Sequence, residues 1–136
     1  MTHDEILKLV DDLYAATGAG DFDLAETMLT EDFVVTEADS LPMAGTYRGK
    51  TALRELYAKV MGMMDVAALN RVQTLSGGDY AVVILSFEFQ DPSLKPAHLC
   101  ERFRFRDGKV SEIVPYYYDP APIIAAYDAK LAESKP

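Results

Sequence analysis

Residues 97–106, AHLCERFRFR, alternate with the two-residue period of a strand that buries one face. Ala97, Leu99, Phe103 and Phe105 fall on the apolar side, and His98, Cys100, Arg102, Arg104 and Arg106 on the polar side. Glu101 breaks the pattern, a carboxyl on the apolar face. An unpartnered buried carboxylate is costly, so such a group stays protonated, finds donors or opens onto a pocket. The following Asp107-Gly108 predicts a tight hairpin turn, because both residues tolerate positive φ. Ala81, Val83, Leu85, Phe87 and Phe89 alternate in the same way and predict a second long strand with aromatics on its inner face.

The first half of the chain reads with a different period. Ile6, Leu9, Val10, Leu13, Tyr14 and Thr17 repeat at helical spacing and predict an amphipathic helix over 3–17, ended by Gly18 and Gly20. Asp21 caps a short second helix, with Phe22, Ala25, Met28 and Leu29 as its buried stripe. Residues 33–37 form a β-branched strand, and 40–49, with Pro42, Gly45 and Gly49, read as an irregular connection. Leu53, Leu56, Tyr57 and Val60 predict a helix over 51–61. Residues 67–75 are a weakly patterned strand, 76–79 a turn, and 91–96 a loop holding two prolines. The last strand, 110–118, has its apolar positions Val110 and Ile113 at odd spacing, which predicts a bulge. Asp119-Pro120 then fits a cap and first helical position, with Ile123, Ile124, Tyr127 and Leu131 as the apolar side of a terminal helix. The order is helix, helix, strand, helix, four strands, helix. That order predicts an α+β fold, a curved and largely antiparallel sheet with helices on one face and a pocket between the layers.

At 136 residues, without repeat or linker, the chain is read as a single domain over 1–136. A net charge of −9 argues against nucleic acid and anionic membrane surfaces as partners, since both need basic patches. No apolar run approaches the ~20 residues that span a bilayer. The acidic N-terminus lacks the basic segment and apolar block of a signal peptide, and a single cysteine, Cys100, suits a reducing cytoplasm. His3, His98 and Cys100 offer no zinc spacing, so no metal site is expected. Gly18-Ala19-Gly20 follows a helix, the wrong context for a dinucleotide loop, and no nucleophilic triad is visible.

Three stretches, GDFDLAETMLTEDFVV, LPMAGTYRGKTALRELY and ERFRFRDGKVSEIVPYYYD, in this order and spacing, resemble the nuclear-transport-factor-2-like (NTF2-like) superfamily. The group they look like holds the SnoaL-like polyketide cyclases and the ketosteroid isomerases. The resemblance covers nearly the whole chain and implies a cone with an apolar cavity, usually dimerising through its sheet.

By that resemblance Glu37 matches a general base, Glu101 the protonated acid of an oxyanion hole, and Tyr57 a tyrosine supporting it. Ketosteroid isomerase is itself the standard example of a carboxylic acid kept neutral to donate a hydrogen bond. Such chemistry needs one carboxyl ionised to take a proton α to a carbonyl and one neutral to stabilise the enolate. Glu37, at a strand end, is expected nearer water and Glu101 drier. Glu stands here at both positions where the isomerases carry Asp. The main oxyanion tyrosine falls nearer Leu13 than Tyr14 by count, and Tyr14 fits if the inter-helix loop is one residue shorter. Leu29 occupies the place of a third tyrosine. Asp39 is a second candidate base, and Tyr14, Asp39, Phe87, Phe103 and Tyr116 are expected to contact substrate. Of Tyr116, Tyr117 and Tyr118, one or two are expected to line the cavity while the rest pack elsewhere. The opposite sheet face, with Val82, Ile84, Ser86, Arg102 and Arg104, is expected to be covered by a second copy in a homodimer. Two function classes follow: an acid–base enzyme of isomerase, cyclase or dehydratase type, or a module that binds an apolar ligand without turning it over. An assembly role with an incidental cavity is a third.

Overall fold

The computed structural model describes residues 1–133. Helix α1 (His3–Gly18) opens with Thr2 and Glu5 in a reciprocal capping box, and its buried side carries Ile6, Val10, Leu13 and Ala16. Asp21 accepts from the Leu24 amide and caps the short α2 (Phe22–Glu26), as its sequence position predicts. Strand β1 (Leu29–Glu37) begins earlier than the β-branched run, so Leu29 belongs to the strand and not to the helical stripe. The stretch read as irregular contains a short strand, β2 (Gly45–Arg48), which returns antiparallel along β1 with Glu37 opposite Gly45. Its four residues are mostly exposed at the sheet edge, so no apolar alternation marks it.

Helix α3 (Ala52–Met63) buries Ala52, Leu53, Leu56 and Val60. Four strands follow, β3 (Val66–Gly77), β4 (Tyr80–Phe89), β5 (Ala97–Arg106) and β6 (Lys109–Tyr117). The sheet order is β2-β1-β6-β5-β4-β3, antiparallel except for the β1–β6 pair. Strand β3 lies at the far edge and is largely exposed, which is why its pattern is weak. In β5 the alternation holds: Ala97, Leu99, Phe103 and Phe105 are buried. Asp107 and Gly108 both take positive φ (55° and 73°), the conformation a two-residue hairpin turn requires. The expected bulge lies at Ser111, because Phe105 pairs with Val110 while Arg104 pairs with Glu112.

Helix α4 (Ala121–Glu133) starts one residue later than Asp119-Pro120 suggests, with the Asp119 carboxylate accepting from the Ala121 amide. Its buried residues are Ile123 and Ala126, whereas Ile124 and Leu131 are exposed. The core lies between the helices and the inner sheet face, around Phe33, Phe103, Leu85 and Val83. Among the described residues no helix is long and apolar enough to cross a membrane.

Candidate functional site

A cavity of about 400 Å³ opens between the helices and the inner sheet face. Strand alternation chooses most of its wall. Val35 and Glu37 share one face of β1, Leu99, Glu101 and Phe103 one face of β5, Leu85 and Phe87 one face of β4, and all seven line it. The helices contribute Leu13, Tyr14 and Thr17 from α1 and Leu53, Leu56, Tyr57 and Val60 from α3. Lining residues that are themselves exposed are Ala15, Gly18, Met61, Ala67, Ala68 and Arg71, so the mouth lies between α1, the end of α3 and β3.

Both carboxyls face this space. Glu37 is only 4% exposed, and its Oε1 has no hydrogen-bond partner among the described residues. Burial, and secondarily the Glu101 carboxyl, push its pKa up to about 8. The structure thus corrects the expectation that Glu37 sits near water: parity with Phe33 and Val35 carries it inward, and the neutral form prevails at pH 7.

Glu101 is half-buried, and its Oε1 accepts a hydrogen bond from the Tyr14 hydroxyl. Burial raises the Glu101 pKa and the Tyr14 bond opposes the rise. Among the described residues Oε2 has no hydrogen-bond partner, so a proton on Glu101 has an oxygen left from which to donate into the cavity. On α1 the residue that bonds Glu101 is Tyr14, while Leu13 beside it is an apolar part of the wall. Burial first, then Glu101, raise the Tyr14 pKa well above the ordinary phenol value.

Tyr57 lines the cavity, and its hydroxyl donates to Thr17 Oγ1 at 3.4 Å rather than to Glu101. Burial and Glu101 hold its pKa up to about 12. Tyr57 thus ties α3 to α1, with Phe22 packed beside its ring at 5.5 Å.

Phe87 and Phe103 line the cavity as expected, and Phe103 packs against Tyr14 with ring centroids 5.9 Å apart. Two expected residues do not reach it. Asp39 is exposed in the turn after β1, beyond the last inward position, Glu37. Tyr116 is 53% exposed on the other sheet face, beside Arg102. Its neighbour Tyr117 lines the wall instead. Tyr117 pairs with Leu99 and shares parity with Ile113, the signal that distinguishes the two tyrosines once the Ser111 bulge is placed. Burial, then Glu37 and Glu101, raise the Tyr117 pKa. Arg71, in the weakly patterned edge strand, also reaches the cavity and carried no apolar alternation to flag it.

The arrangement is an apolar chamber holding two carboxyls and three phenols, and burial raises the pKa of every one of them. It can receive a carbonyl oxygen through Glu101 Oε2 and exchange a proton through Glu37. Among the described residues no group of three or more His, Cys, Asp and Glu side chains is placed to hold a metal.

The family model of the SnoaL-like domain matches residues 10–113. An NTF2-like protein from Burkholderia xenovorans superimposes with a TM-score of 0.78 at 24% identity, covering 93% of this chain and 98% of that one. TerC, co-crystallised with polyporic acid, gives 0.78 at 15% identity, covering 91% of this chain and 98% of its own. A candidate polyketide cyclase from Sinorhizobium meliloti gives 0.65 at 20% identity, covering 80% and 94%. No curated protein matches. At these identities the solved structures establish the fold.

Proposed function

The chain belongs to the SnoaL-like family, and from that premise we propose that it is a cofactor-free acid–base enzyme acting on a small apolar carbonyl compound. The reaction type is that of an isomerase, cyclase or dehydratase, which share proton removal α to a carbonyl. The observation that carries the reading is that Glu37 and Glu101 line one cavity. Glu37, with a pKa of about 8, is a general base close to the pH at which proton transfer is most effective. Neutral Glu101, oriented by Tyr14, donates from Oε2 to the developing enolate oxygen. Tyr57 positions the α1 wall through Thr17. The fold's likeness to TerC with polyporic acid and to a candidate polyketide cyclase supports a small cyclic ligand. The reading places the enzyme in the cytoplasm as a homodimer joined through the outer sheet face.

The alternative is a binding module, favoured by the apolar wall and by a Glu37 carboxyl that stays largely neutral at pH 7. Binding and exchange separate the two. A panel of cyclic ketones is titrated for affinity, and the same ketones are incubated in deuterium oxide and read by mass spectrometry. An enzyme binds and exchanges; a module binds with exchange at the buffer rate.

A further inference from the structure

We infer that Arg71 at the cavity mouth selects a ligand carrying an anionic group, so that the substrate is an apolar ring ketone with a carboxylate at its outer end. The inference rests on the acid–base reading of the cavity and names the substrate class for it. Arg71 is the sole basic residue on the cavity wall among the described residues. Its guanidinium lies 4.7 Å from the Tyr14 ring centroid, over the tyrosine that holds Glu101.

The arginine is only partly engaged. Nη1 donates to Asp11 Oδ1 at 2.6 Å, and among the described residues no second acceptor meets Nε or Nη2. A guanidinium presents five N–H donors in a fork that matches a carboxylate through two of its nitrogens, so a one-nitrogen contact leaves that capacity open. Its side chain is 32% exposed, which leaves the guanidinium within reach of a ligand at the rim.

The backbone supports the placement. Arg71 pairs with Leu85 while Gln73 pairs with Ile84, so Val72 is an extra residue in β3. A bulge of this kind re-aims the adjoining side chain and recurs beside active sites. Val72 itself is 68% exposed. The net charge of −9 does not oppose the idea, because charges beyond about 8 Å are largely screened at physiological salt.

A carboxylate held at the rim sends the ring inward towards Phe87 and Phe103 and its ketone towards Glu101. Arg71 would therefore be a specificity residue, with no part in proton transfer.

The test uses a tetralone carboxylate and the carboxamide of the same tetralone, alike in shape and different in charge, titrated calorimetrically against the full chain. The wild type is expected to prefer the carboxylate by about tenfold, the scale of one charge-assisted hydrogen-bond pair. Arg71→Gln should abolish that preference, weakening the carboxylate by about tenfold more than the carboxamide. Arg71→Lys, which keeps charge without the fork, should retain part of it. Asp11→Asn should enlarge it by releasing Nη1. Equal wild-type affinities, or a preference that survives Arg71→Gln, would overturn the proposal, as would equal weakening of both ligands. Deuterium exchange into the carboxamide reports separately on the acid–base reading, and would persist if only the charge selection were wrong.

Discussion

The Tyr14 hydroxyl donates to Glu101 Oε1, joining the first helix to the central strand across 87 positions of sequence. This bond fixes which oxygen of Glu101 is committed to the protein and which is left for a ligand. It also supplies the one contact that opposes the effect of burial on the Glu101 pKa. Tyr14→Phe keeps the ring packing on Phe103 and removes only the donor. The Glu101 pKa should rise further, and stability should fall by about 1–2 kcal/mol for a lost hydrogen bond in a largely buried setting. Carbon-detected NMR titration of the glutamate carboxyls reads the first effect and thermal unfolding the second; an unchanged or lowered Glu101 pKa would contradict the account.

Glu37 makes stability depend on pH. Its folded-state pKa of about 8 lies above the ordinary 4.5, so the folded protein holds this proton more tightly than the unfolded chain. Between those values the unfolded state binds fewer protons, and stability falls as pH rises until the folded pKa is passed. The full shift corresponds to roughly 4–5 kcal/mol at most. Glu37→Gln should therefore match the wild type in stability near pH 5 and exceed it by a few kcal/mol near pH 9. Denaturant midpoints across this range check it, and a constant difference between the two proteins would count against a buried, neutral Glu37.

On the outer sheet face Ile84, Cys100 and Tyr116 stand opposite one another across three strands, and Arg102 lies 5.9 Å from the ring centroids of both Tyr80 and Tyr116. Tyr80, Ile84 and Tyr116 are all more than a third exposed. A mixed apolar and aromatic surface of this kind is expected to bury itself against a second copy. Sedimentation at micromolar concentration should give a dimer, and Ile84→Asp should shift it to monomer. A wild-type monomer at that concentration would remove the claim.

The parts of this fold that bury one face cleanly were readable from their spacing. The β5 strand shows this best: its alternation identified both the buried face and Glu101 as the exception. The Asp107-Gly108 turn was legible because few residue pairs tolerate two successive positive φ values, and the Ser111 bulge because Val110 and Ile113 break a two-residue period. Edge elements were not legible. Neither β2 nor β3 buries a continuous face, so the spacing of β2 resembles that of a loop and nothing in the pattern of β3 marks Arg71. In the site, parity with Phe33 and Val35 already implied that Glu37 points inward, but its position at a strand end suggested water. Tyr116 and Tyr117 could be told apart only with the bulge register in hand. The Tyr14–Glu101 bond depends on how α1 lies over the sheet, a relation that local sequence does not carry.

The central claim is that Glu37 and Glu101 act on one substrate in one cavity, and α-proton exchange tests it most directly. Deuterium wash-in is followed by mass spectrometry on cyclic ketones with the wild type, Glu37→Gln and Glu101→Leu. The wild-type rate should rise with pH as Glu37 ionises, through an apparent pKa of about 8. Glu37→Gln should lose about 10²–10⁴-fold, the range of a general base, while ketone binding is retained. Glu101→Leu should lose roughly 10²-fold, equivalent to ~3 kcal/mol for an oxyanion donor. Exchange at wild-type rates in both variants would contradict the enzymatic account and leave a cavity that binds without catalysing.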